Sequence, residues 1–130
     1  MDNLHYEAQI AIIKILTEIL HADKVVHPKE TEYLNEIILS YGLNHNYKKD
    51  LDNMLTLRAL SIIRRLNDEQ KNNIAQMMGN MIIVDGNINY NEVNLYNAFC
   101  ESCGLEKDFD ADDYPECSIS GPFITPEELP

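Results

Sequence analysis

The sequence predicts an all-α protein, a pseudo-symmetric bundle of about five to seven helices built from two repeated helix-turn-helix segments. Apolar residues recur at helical spacing, no run shows the alternation of a strand, and the chain aligns with itself at an offset of 62 residues. The first helix is expected over about residues 4–22, where Ile12, Ile13, Ile15, Leu16, Ile19 and Leu20 form a broad stripe. A second carries Tyr33, Leu34, Ile37, Ile38 and Tyr41. The polar stretch 44–54 has some helical character and suits a short connecting helix. A third stripe follows with Leu57, Leu60, Ile62, Ile63 and Leu66. Asn67 with Gln70 three residues on spells a capping box, opening a helix through Ile74, Met77, Met78, Met81 and Ile82 to about Val84. The last helix carries Val93, Leu95, Tyr96 and Phe99.

Length and composition fit one ordinary globular domain: 130 residues, 45% hydrophobic and 25% charged. With 22 acidic residues against 10 basic ones the net charge is -12, which opposes phosphate backbones, so no nucleic-acid partner is expected. No window approaches the roughly 18 apolar residues of a membrane span, and the N-terminus has neither the basic flank nor the apolar core of a signal peptide. A cytoplasmic location is the expectation, and three cysteines, odd in number and too few for a disulfide framework, agree with a reducing compartment. Residues 106–130 hold 8 acids, one base and four of the five prolines, hence -7 of the -12. They read as an acidic tail, partly disordered or lying along the domain, with residues 1–105 as the folded unit.

In the repeat, residues 12–43 fall on residues 74–105. Asp23 meets Asp85, Glu30 meets Glu92, Asn35 meets Asn97, Ser40 meets Ser102, and Gly42-Leu43 meets Gly104-Leu105. Each copy is an apolar helix end, an Asp, a turn, a Glu seven residues after the Asp, and a helix closing on Gly-Leu. VDGNINYNE at 84–92 and HADKVVHPKE at 21–30, the latter with Lys24 where Gly is usual, resemble the TerB-like family over about residues 4–105. The resemblance implies an all-helical domain with an acidic cluster proposed to bind divalent cations. It also implies a role in stress-response assemblies of the tellurite-resistance kind, without a settled catalytic activity.

Much of the motif has a structural reading. Gly86 suits a left-handed helix end, Asn89 an N-cap and Glu92 a capping box; Pro28 suits a first helical position, with Glu30 in the first turn where the dipole favours a carboxylate. Asp23 and Asp85 fit less well, because they follow apolar helix ends where the dipole disfavours negative charge. Asx-turn amides, Lys24 in the first copy, or a cation would compensate them. Asp85, Asn87 and Asn89 place oxygens on alternate residues, as in loops that wrap a hard ion. If the pseudo-twofold joins the two turns, Asp23, Glu30, Asp85 and Glu92 make a four-carboxylate cluster that needs a cation or shared protons. Oxygen donors favour Ca²⁺ or Mg²⁺ over zinc. An EF-hand is excluded, since Tyr90 and Tyr96 stand at its sixth and twelfth positions.

Other constellations read as structure. Cys100 and Cys103 lie late in a helix and match Ile38 and Tyr41, so they are expected to pack in the core, with zinc binding assisted by Cys117 as the alternative. Glu18 and His21 lack the second copy that a di-iron bundle needs. His5 and His45 suit the surface, His27 a turn or a peripheral ligand position. Met54, Met77, Met78 and Met81 suit core gaps. Phe109, Tyr114, Phe123 and Ile124 give the tail a means of docking. The reading is a noncatalytic domain with a divalent-cation site at Asp23, Glu30, Asp85, Asn87, Asn89 and Glu92, no organic cofactor, and protein partners. A metal-dependent hydrolase using the same cluster is the alternative, and a purely structural domain the third.

Overall fold

The computed structural model of the chain describes residues 4–23, 25–43 and 46–121. Six α-helices follow one another: α1 (Tyr6–Leu20), α2 (Pro28–Tyr41), α3 (Tyr47–Asn53), α4 (Thr56–Arg64), α5 (Asp68–Ile83) and α6 (Tyr90–Cys103). The fold is all-α, as the spacing predicts. His45, Lys24, Phe123 and Ile124, each given a role on sequence grounds, lie outside the described residues.

The central element is α1. Ala8, Ile10, Ala11, Ile12, Ile13, Ile15, Leu16, Ile19 and Leu20 are all buried, more than one face of a helix provides, and α1 packs against each of the other five helices. A run this rich in isoleucine has modest intrinsic helix propensity. Burial overrides it, at roughly 1.5–3 kcal/mol for each large aliphatic side chain removed from water.

The internal repeat is a repeat of structure. Shifted by 62, the bounds of α2 coincide with those of α6, and Tyr6–Leu20 falls within one residue of α5. Both second helices end on a glycine in the left-handed region, Gly42 at φ 65° and Gly104 at φ 72°. The capping box of α5 forms as its sequence suggests: Gln70 N–H donates to Asn67 Oδ1 (2.8 Å), and Asn67 N–H to Gln70 Oε1 (3.1 Å). One apolar assignment shifts. Leu57 is 80% exposed, and α4 turns Ala59 and Ile63 into the core.

The sequence shows no strand pattern, yet residues 87–89 (β1) and 118–120 (β2) form a two-stranded parallel ribbon with Ile88 opposite Ile119. Three-residue strands of Asn-Ile-Asn and Ser-Ile-Ser are too short to display a period, and their composition is that of a turn. The ribbon exists because residues 106–121 lie along the bundle as a strap. Phe109 meets Tyr96 edge-on at 5.9 Å and stacks on Tyr114 at 5.6 Å, and the Phe109 N–H donates to the Tyr96 hydroxyl at 3.2 Å.

Candidate functional site

The two Asp turns are built alike. In the first, the Val25 N–H donates to Asp23 Oδ1 at 3.3 Å; in the second, the Asn87 N–H donates to Asp85 Oδ1 at 3.2 Å. These are Asx turns, which supply part of the compensation an aspartate needs at a helix end. His27 supplies more: its Nε2 lies 3.3 Å from Asp85 Oδ2 and 3.9 Å from Asp23 Oδ2. The imidazole thus stands between the acids of the two copies, within hydrogen-bond reach of Asp85 alone. This places His27 as a bridge, which the turn or peripheral role read from the sequence does not include.

The two glutamates meet. Glu30 and Glu92, at the N-terminal turns of α2 and α6, are both 1% exposed, and their carboxyl groups hydrogen-bond to each other. Two carboxylates cannot share such a bond without a proton. Burial pushes Glu92 up to about 10, and the hydrogen bond to Glu30 and the charges of Glu30, Asp85 and Asp23 act in the same direction. Burial also raises Glu30, but that group accepts the His27 N–H at 3.3 Å. The pair therefore shares one proton, and the His27 N–H on Glu30 favours Glu92 as its holder. The capping box expected of Glu92 does not form: Asn89 Oδ1 accepts from the Asn91 N–H at 2.9 Å, while Glu92 Oε2 is buried without a hydrogen-bond partner.

Asp23, Glu30, Asp85 and Glu92 accordingly converge, together with His27. Asn87 and Asn89 have their amides engaged elsewhere. Asn87 Oδ1 accepts from the Ser118 hydroxyl (2.9 Å), its Nδ2 donates to Ser120 Oγ (2.8 Å), and Asn89 Nδ2 donates to the same Ser120 oxygen (3.2 Å). Alternate residues of an extended segment share one face of the ribbon, and here Ser118 and Ser120 of β2 share that face with Asn87 and Asn89.

For a divalent cation, the donor chemistry of the four carboxylates fits a hard ion, and the orphaned Glu92 oxygen is a buried acceptor without a partner. The two asparagines do not fit, because β2 holds their amides. The glutamates are engaged with each other and the aspartates flank an imidazole, and among the described residues no group of three or more His, Cys, Asp or Glu is arranged to hold a metal ion. The groove beside the site, about 720 Å³, is lined by Asp23 but not by Glu30 or Glu92.

The other constellations are structural where they are described. Cys100 and Cys103 are fully buried, and burial pushes the Cys100 thiol up to about 11. Glu18 accepts the Thr56 hydroxyl at 2.7 Å, and the His21 ring meets the Thr17 carbonyl at 3.0 Å. Met78 and Met81 lie in the core, with Met54 and Met77 packed against it. No described helix is long and apolar enough to cross a membrane.

Compared with known proteins, the chain matches no family model and no curated protein. A protein of unknown function from Porphyromonas gingivalis W83, PG1108, has a crystal structure that is similar with a TM-score of 0.70. The identity is 24%, and the match covers 82% of this chain and 83% of that one. The likeness is one of fold.

Proposed function

We propose that this chain is a noncatalytic, TerB-like helical domain whose acidic centre takes up a divalent cation, Ca²⁺ or Mg²⁺, through Asp23, Glu30, Asp85 and Glu92. The observation that supports it most is the buried Glu92 Oε2, an acceptor without a donor inside a cluster of four acids. Leaving such an atom unsatisfied costs about 1–3 kcal/mol, a cost that a bound cation would relieve. The role that goes with it is that of a protein-interaction module in a stress-response assembly. Calorimetry with Ca²⁺, Mg²⁺ and Mn²⁺ is expected to show saturable binding that Glu92→Gln weakens at least tenfold. Absence of heat and of NMR shifts at residues 23–30 and 85–92 at millimolar ion would overturn the reading.

A second reading, a purely structural clasp between the repeats, is favoured by the Glu30–Glu92 bond and the His27 bridge. Under it, Asp85→Ala and Glu92→Ala alter melting equally with and without divalent ions. The hydrolase alternative needs a cleft opening on the carboxylates, and the burial of Glu30 and Glu92 gives it no support.

A further inference from the structure

The pseudo-symmetry is broken where the strap meets the second Asp turn. In the second repeat, residues 87–89 form β1 and are paired by β2 of the strap, so that Ile88 is fully buried. Their counterparts at the offset of 62 are Val25, Val26 and His27. This segment leaves an Asx turn of the same kind, and His27 is extended, with φ -86° and ψ 141°. Among the described residues no strand lies against it, and Val26, the counterpart of Ile88, makes no backbone hydrogen bond. Val25 is 61% exposed and Val26 39%, whereas turns of this length ordinarily show polar residues to water.

We infer that residues 25–27 are a strand-acceptor edge, which takes an extended segment of a protein partner as a parallel strand in the way that residues 87–89 take β2 within the chain. The groove of about 720 Å³ adjoins this edge at Val25, lined by Ala22, Asp23 and Val25 together with Asn89, Asn91, Ser120 and Gly121. Ile119, 52% exposed on β2, adds apolar surface next to Ser120. The internal strand sets the pattern of the occupant: an apolar residue flanked by small hydroxyl residues, with Val26 in the register position of Ile88. Charge sets the flanks. Asp23 lines the groove, residues 106–121 carry six acids against Lys107, and the chain as a whole is at -12, so the partner segment is basic on either side of its apolar residue. The inference does not depend on cation binding, because the backbone and valines of the turn carry it, and of the four acids only Asp23 lines the groove.

The probe is a synthetic peptide, Lys-Lys-Ser-Ile-Ser-Gly-Lys, titrated into the full chain and followed by amide NMR and calorimetry. Shifts are expected at Val25, Val26, Ser120 and Gly121, with the Val26 N–H becoming protected from exchange. Val26→Pro, which deletes the donor at an exposed position, is expected to weaken binding at least tenfold, as is Val25→Lys, which charges the edge. Both variants are expected to keep the melting temperature within a few degrees. A peptide with glutamate in place of each lysine is expected to bind at least tenfold more weakly. Equal binding by either variant or by the acidic peptide, shifts centred on exposed Leu55 and Leu57 instead, or no shift at millimolar peptide would each overturn the inference.

Discussion

At the scale of single residues, the acidic centre is governed by one proton. Glu92 keeps it in the folded chain far above the ordinary value of 4.5, and an unfolded glutamate does not. The folded state therefore binds more protons than the unfolded state between about pH 4.5 and 10, and stability falls as pH rises across that window. Below the lower bound the contribution is fully present. Glu92→Gln replaces the protonated acid by an amide of the same shape that still donates to Glu30. Denaturant melts are expected to show a flatter pH profile for this variant, unchanged stability near pH 4.5 and a gain of about 1–3 kcal/mol near pH 9. A steeper profile would contradict the assignment of the proton. Ile15, fully buried at the centre of α1, is a contrasting case: Ile15→Ala is expected to cost about 2–5 kcal/mol at any pH, measured by the same melts.

At the scale of elements, the strap is held by backbone fit as much as by side chains. Gly121 has φ 109°, and a Cβ there would lie 2.9 Å from the Tyr90 nitrogen. Gly121→Ala is therefore expected to loosen β2 and raise hydrogen exchange at Ile88 at least tenfold, with the helices unaffected; unchanged exchange would mean that β2 is held by Ser118 and Ser120 alone. The helices were legible in the sequence because each displays several turns of periodicity, and the capping pair Asn67 and Gln70 marks one boundary to the residue. Asp23, Glu30, Asp85 and Glu92 were legible as a candidate cluster because the offset of 62 pairs them. The roles of Asn87 and Asn89 were not, because their partners Ser118 and Ser120 lie some thirty residues away in a stretch whose charge and prolines suggest a solvated tail. His27 was missed as a bridge for a related reason: only the packing of one repeat on the other brings it to Asp85, and a lone histidine in a turn carries no signal of that contact.

At the scale of the whole molecule, duplication explains why an acidic centre exists. The two hairpins, α1–α2 and α5–α6, pack so that the N-terminal turns of α2 and α6 meet, and with them the acids of the motif. The copies differ: one Asp turn is covered by a strand of the same chain, and the other presents Val25 and Val26 to water. The chain is thus organised around a shared anionic centre with one closed and one open edge. The most direct test is a crystal grown with Mn²⁺ and measured at an energy where manganese scatters anomalously. The expected result is a peak within about 2.5 Å of carboxylate oxygens of Asp85 and Glu92, with the Glu30–Glu92 hydrogen bond broken. An intact Glu30–Glu92 bond and no peak beside it at millimolar Mn²⁺ would contradict the account and leave the cluster as a proton-sharing clasp between two repeats.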